Sequence, residues 1–140
     1  MSDSIFSRII RGEVPCQKVY EDDMCIAILD INPLSEGHTL VIPKEPAETL
    51  DQLSDESAAA VGKVLPRIAR AIMKVTGAQA FNVLQNNGVA ASQLVPHVHF
   101  HIIPRFPDRN GQAGLNMEWE PIDQDPEQAA ELGRRIARLL

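Results

Sequence analysis

The sequence predicts an α+β domain with a mostly antiparallel sheet, on three observations. Short β-rich runs bounded by turn residues dominate the first two thirds of the chain. A single long amphipathic segment interrupts them, and a shorter helical pattern stands at each end. At 140 residues, 44% hydrophobic and 23% charged, one domain spanning residues 1–140 is expected, able to bury a core without disulfides or a structural metal.

Each element has a local reason. Ile5, Phe6, Ile9 and Ile10 mark one apolar side of a short helix over 4–12, stopped by Gly12. Strand-like runs follow at 18–21 and 24–29, divided by the charged Asp22-Asp23 turn. Asn32-Pro33 breaks the pattern, and a loop to Gly37 precedes a β-rich run at 38–43. Ser54 is a good N-cap, with Asp55 and Glu56 in the first turn. Val61, Val64, Leu65, Ile68, Ile72 and Val75 then recur at helical spacing up to Gly77. Pro66 lies inside this helix and is expected to bend it. Residues 81–84 read as a strand, Asn86-Asn87-Gly88 as a turn, and 97–104 as a strand bracketed by prolines. The core ends near residue 105. A loop rich in Pro, Gly and Asn covers 106–123 and includes Trp119, which fits no motif. Asp125-Pro126-Glu127-Gln128 combines an N-cap, an N1 proline and a capping-box residue, and starts a closing helix that should run to Leu140.

The net charge of -6, with a pI near 5.1, argues against non-specific binding to nucleic acid or an anionic membrane. It leaves room for a nucleotide, whose phosphate needs only a few local donors. Cys16 and Cys25 have no metal-ligand spacing, and Cys25 reads as a small buried hydrophobe. The N-terminus lacks the apolar core of a signal peptide and no run approaches a membrane span, so a cytoplasmic protein is expected.

Three of the four histidines fall in one pentapeptide, His97-Val98-His99-Phe100-His101. On a strand their imidazoles share one face, while Val98, Phe100 and Ile102 share the other and can enter the core. A core has little use for three aligned polar rings, each needing partners. Two chemistries remain open on the residues alone. Alternating histidines can place two imidazoles on one zinc, although no HExxH helix or cysteine pair completes such a site. Alternatively, a neutral imidazole is a competent nucleophile towards phosphorus, with its neighbours as orienter and donor.

The run His97-Val98-His99-Phe100-His101-Ile102-Ile103 resembles the signature of the histidine triad (HIT) family of nucleotidyl hydrolases and transferases. The resemblance extends through Ile5-Phe6-Ser7-Arg8-Ile9-Ile10, Gly12-Glu13-Val14-Pro15 and Leu29-Asp30-Ile31-Asn32-Pro33. It continues in Gly37-His38-Thr39-Leu40-Val41-Ile42-Pro43-Lys44, Asn86-Asn87-Gly88 and Ser92-Gln93, so it covers about 4–105. It is nearest to the phosphoramidase-like and bacterial branch; the uridylyltransferase branch has proline where Phe100 stands.

The resemblance implies a HIT-like fold, with an antiparallel sheet of about five strands, one long central helix and short terminal helices. It also implies a homodimer and no cofactor. His99 would attack the α-phosphorus of a purine nucleotide conjugate, either a phosphoramidate or a dinucleoside polyphosphate, and form a nucleotidyl-histidine. His101 would bond phosphate oxygen or steady the nucleophile, His97 would hold the ring geometry, and His38 would stand beside the triad. Asp30 would take both ribose hydroxyls. Asn86, Ser92 and Gln93 would serve the phosphate and the leaving group, and Ile5, Phe6, Ile9, Val14, Ile28 and Ile31 would line the base slot. Some bacterial relatives carry zinc on two cysteines and a histidine, where this chain has Ser4, Ser7 and Pro46, so no structural zinc is expected. Leu94 replaces a residue that contacts the leaving group through a hydroxyl. Two other classes stay in view: a nucleotide-binding or scaffolding protein with incidental hydrolysis, and a metal-dependent hydrolase using the histidines as ligands.

Overall fold

A computed structural model describes residues 3–107 and 120–140. Helix α1 (Ile5–Ile10) starts at Ser4, whose hydroxyl accepts from the Ser7 amide at 3.0 Å. It ends at Gly12, whose φ of +78° lets the Glu13 amide turn back to the Arg8 carbonyl at 2.9 Å. Strands β1 (Lys18–Glu21) and β2 (Cys25–Leu29) are joined by a turn in which the Asp22 carboxylate accepts from the Met24 and Cys25 amides, at 2.8 and 2.7 Å. β3 (Thr39–Pro43) pairs with β2 from Leu29↔Thr39 to Cys25↔Pro43.

Helix α2 (Asp55–Thr76) follows. The Ser54 hydroxyl accepts from the Ser57 amide at 3.1 Å, and Gly77 closes the helix at φ +75°. The helix runs through Pro66. Pro66 and Gly62 are both exposed, so the carbonyl that loses its amide partner there is open to water. β4 (Ala80–Leu84) and β5 (Phe100–Arg105) complete a five-stranded sheet in the order β1-β2-β3-β5-β4, with every pairing antiparallel. Helix α3 (Pro126–Ala137) starts at Asp125 and Pro126 as expected and has no buried residue.

The alternation along β2 and β3 sorts the core into two halves. Cys25, Ala27 and Val41 face α2 and pack with Val61, Val64, Ile68 and, from β5, Ile102. Ile26, Ile28, Leu40 and Ile42 face the other way and meet Phe6 and Ile9 of α1. Each such side chain stabilises the fold by about 1.5–3 kcal/mol when fully buried, which is what holds so short a helix as α1 in place.

Three expectations need correction. The last strand begins at Phe100 rather than His97. The register Val41↔Phe100 would place residue 98 opposite Pro43, which has no amide to continue the ladder. The Val98 amide instead donates to the Ala47 carbonyl at 2.8 Å. Val75 is 86% exposed: it shares the helix face of Ile68 and Ile72 and lines the cavity against α2 with them, but the sheet does not cover it. The closing helix stops at Ala137 rather than Leu140, leaving Leu139 and Leu140 exposed. Most of the loop expected over 106–123, Trp119 included, lies outside the described residues.

Candidate active site

The face of the sheet that carries α1 holds a cavity of about 480 Å³. Along β5, Phe100 and Ile102 face α2, while His101 and Ile103, with His99 just before the strand, line the cavity. A second cavity of similar volume lies against α2, but none of its lining residues is a histidine. The chemistry therefore concentrates on the α1 face.

The hydrogen bonds determine which nitrogen of each ring carries its proton. His99 Nδ1 lies 2.7 Å from the His97 carbonyl oxygen, which can only accept. Its proton is thus on Nδ1, and Nε2 keeps a bare lone pair. The ring is 6% exposed and stands edge-to-face against Phe6, with centroids 4.9 Å apart. His38 accepts the Leu34 amide on Nδ1 at 3.0 Å, so as a neutral ring it carries its proton on Nε2. That Nε2–H donates to His101 Nδ1 at 2.9 Å. His101 in turn carries its proton on Nε2 and can donate to a bound anion.

His97 does not line the cavity. It is 1% exposed and sits behind His99, donating Nε2–H to the Pro43 carbonyl at 2.8 Å. Its Nδ1 is buried with no partner among the described residues. Pro43 thus ends the ladder through its missing amide and anchors His97 through its carbonyl.

Burial pushes all four imidazoles below their ordinary range. His101 falls to about 4, first through desolvation and then through its neighbours His99 and His38. The rings are therefore neutral at pH 7, the form in which a lone pair can attack.

Asp30 lines the same cavity at the end of β2. Its Oδ1 accepts from the Asn32 amide at 2.8 Å, and its Oδ2 lies 3.5 Å from His38 Nε2. A main-chain bond of 2.9 Å from the Asp30 amide to the His38 carbonyl ties the two residues together. Asp30, His38 and His101 offer ligand atoms within 4.8 Å of one another, close enough for one cation. The donor set does not suit one. A metal-ligating histidine donates its second ring N–H to an acceptor, whereas His38 Nδ1 faces the donating Leu34 amide.

Ile5, Phe6, Ile9, Val14, Ile28 and Ile31 all line the cavity, and Phe6, Ile9 and Ile28 belong to the core as well. Asn86, Ser92 and Leu94 line it too. Ser92 adopts φ +69°, a left-handed conformation that turns the loop beside the triad. Gln93 stands apart: its side-chain NH2 donates to the Glu48 and Val95 carbonyls, and its oxygen accepts from the Gly88 amide. It holds the loop together, with both amide hydrogens committed away from the cavity. Ser4 and Ser7 bond each other at 3.2 Å at the start of α1.

Sequence reasoning did not single out the Leu34 amide, Leu84, Val95 or the cavity-lining thiol of Cys16. Backbone donors and loop apolar residues carry no pattern by which to find them.

The HIT domain family model matches residues 11–108. An adenosine 5'-monophosphoramidase from Schizosaccharomyces pombe is 44% identical over 133 residues, 95% of each chain. An adenylylsulfatase from Arabidopsis thaliana is 54% identical over 104 residues, 74% of this chain and 53% of that relative, so this chain spans about half its length. The crystal structure of a HIT family protein from Bacillus subtilis superposes with a TM-score of 0.90 at 40% identity, covering 99% of this chain and 98% of that one.

Proposed function

The chain belongs to the HIT domain family, and on that premise we propose that it hydrolyses a purine nucleoside monophosphate conjugate through a nucleotidyl-histidine on His99. The observation that carries this reading is the bare Nε2 of His99, fixed by the 2.7 Å bond from Nδ1 to the His97 carbonyl. That carbonyl also stabilises the positive charge that develops on the ring as Nε2 bonds phosphorus. The names of the phosphoramidase and adenylylsulfatase relatives support a nucleotidyl substrate.

The steps balance without a cofactor. The base lies in the apolar slot of α1 and β2, and Asp30 accepts the ribose hydroxyls. His101 donates Nε2–H to a non-bridging oxygen of the α-phosphate. The His99 Nε2 lone pair forms the N–P bond as the bond from phosphorus to the leaving group breaks. A cavity water protonates the leaving atom, and the resulting hydroxide cleaves the N–P bond to release the nucleoside monophosphate. His38 and His97 are positioning residues that hold the protons of His101 and the backbone around His99.

The same reading includes a homodimer. β4 stands at the edge of the sheet with Phe81 and Val83 half exposed, an apolar edge that pairing with a second copy would cover. It also places the chain in the cytoplasm, in keeping with two free cysteines. No helix among the described residues is long and apolar enough to cross a membrane.

The test is single-turnover hydrolysis of an adenosine phosphoramidate, quenched in alkaline denaturant because the histidine N–P bond is labile to acid and heat, with the protein analysed by mass spectrometry. An AMP adduct on wild type and its loss in His99→Asn, with turnover reduced at least a thousandfold, is the expected result. Unchanged turnover in His99→Asn would end the proposal.

A further inference from the structure

The turn between β2 and β3 forms a wall of two cavities. Leu34 and His38 line the catalytic cavity on the α1 face, while Glu36, Gly37 and Thr39 line the second cavity, against α2. The turn is fastened on both sides. The Ser35 hydroxyl donates to the Pro104 carbonyl at 2.6 Å, and the His38 amide donates to the Ser35 carbonyl at 3.1 Å. At Gly37 a Cβ would lie 2.8 Å from Thr76 Cγ2 and 3.3 Å from Ile72 Cγ2, so the backbone already rests against the end of α2. The Leu34 amide that bonds His38 Nδ1, and so fixes the proton His38 gives to His101, belongs to this same turn.

The second cavity has the make-up of a small-molecule site. Its volume of about 480 Å³ falls within the roughly 300–1,000 Å³ usual for such sites. Val19, Leu29 and Val75 line it while 49%, 37% and 86% exposed, so its apolar surface is open to water. The hydroxyls around it are committed elsewhere: Tyr20 donates to Asp22 at 2.6 Å, and Thr39 and Thr76 donate to the Gly37 and Ile72 carbonyls, each at 2.8 Å. Two charged residues stand in the lining. Glu36 has an interaction of its own, whereas Arg67 is exposed and makes no hydrogen bond or ion pair among the described residues. An apolar trough with one free guanidinium at its rim complements a small amphipathic anion.

We propose that this cavity is an effector site for such an anion, an apolar chain or ring carrying one carboxylate, and that its occupancy raises activity at the catalytic cavity. The apolar body covers Leu29, Ile72 and Val75, and the carboxylate meets Arg67. The ligand binds only while Gly37 and Thr39 hold the cavity wall, and in that arrangement the Leu34 amide sits on His38. It therefore stabilises the turn that orients His101 without touching the nucleotide.

The experiment follows amide NMR shifts on titration with octanoate, with butanoate and neutral octanamide as controls and AMP filling the catalytic cavity. The expected shifts centre on Gly37, Thr39, Ile72 and Thr76, with a Kd that falls about two- to fourfold per methylene from butanoate to octanoate. Arg67→Gln weakens octanoate about two- to fivefold and leaves octanamide unchanged. Ala71→Glu, which puts a charge at an exposed helix position lining the trough, abolishes octanoate binding. Saturating octanoate raises kcat/KM for an adenosine phosphoramidate at least twofold in wild type and not in Ala71→Glu. No binding to wild type, shifts centred on the catalytic cavity, or an unchanged or lower kcat/KM overturns the proposal. Binding to a chain carrying Leu132→Glu and Ile136→Glu on the exposed face of α3, but not to wild type, also overturns it and makes α3 the occupant of the trough. The NMR arm needs no turnover, so it stands even where the hydrolytic reading fails. There the coupling is read as octanoate-induced shifts at the Leu34 amide and the His38 ring, and their absence overturns it.

Discussion

Acid should unfold this protein through its buried imidazoles, and His101 allows the size of the effect to be worked out. Its ordinary value of 6.5 is pushed down to about 4 by burial and by His99 and His38. The folded value lies below the unfolded one, so between these two limits the unfolded chain binds a proton that the native chain refuses. Stability is then fully present above about 6.5 and is lost as pH falls towards 4. For one group with these values, proton linkage predicts a loss of about 2–3 kcal/mol between pH 7.5 and 4.5. That is a large part of the 5–15 kcal/mol typical of a domain. The assay is urea denaturation at both pH values for wild type and His101→Gln, whose amide oxygen can still accept the His38 Nε2–H. Carboxylates such as Glu21, held down to about 2 by Lys18 and Lys44, act equally in both proteins and cancel. The variant should lose about 2 kcal/mol less than wild type over this interval. Equal losses, within about 0.5 kcal/mol, would refute the claim that His101 is neutral because of its burial.

Asp30→Asn removes a charged acceptor from the proposed ribose site, and a hydrogen bond of that type is worth about 1.5–3 kcal/mol. KM for an adenosine phosphoramidate should rise by at least tenfold with a smaller change in kcat, and a change in kcat alone would argue against ribose binding. Gly37 sits at φ +87°, and a Cβ there would lie 2.8 Å from Thr76 Cγ2, so Gly37→Ala should cost about 1–3 kcal/mol in thermal or urea unfolding. Val83→Asp places a charge on the half-exposed face of β4 and should shift sedimentation at micromolar concentration from dimer to monomer. A wild-type chain that sediments only as monomer would remove the dimer from the proposal.

Much of this molecule is legible residue by residue. Ser54 and Gly77 bracket α2, and Asp125-Pro126 starts α3, because capping is a local transaction between a side chain and the nearest free amides. The alternation of β2 and β3 placed their apolar residues on two faces, and helical spacing identified Val61, Val64 and Ile68 of α2's core but missed Ala69 and included Val75, whose burial depends on how far the sheet extends beneath it. The pentapeptide of histidines pointed to the candidate site, since packing alone does not call for three polar rings in strict alternation, although His97 is packed away from the cavity.

What the sequence could not decide is the state of those rings. The proton position on His99 depends on the His97 carbonyl, that on His38 on the Leu34 amide, and that on His97 on Pro43, 54 residues away. None of these partners has a side-chain signature. Strand alternation treated His97, His99 and His101 as equivalent, and the missing Pro43 amide broke that equivalence by ending the ladder before His97. The same holds for Gln93, which reads as a loop donor until its partners are seen to be Glu48 and Val95. Residue type and spacing therefore determined which groups meet at this site. Tertiary structure alone decided which nitrogen is bare and which rings stay neutral, because tautomer and pKa depend on burial and on backbone partners distant in the chain.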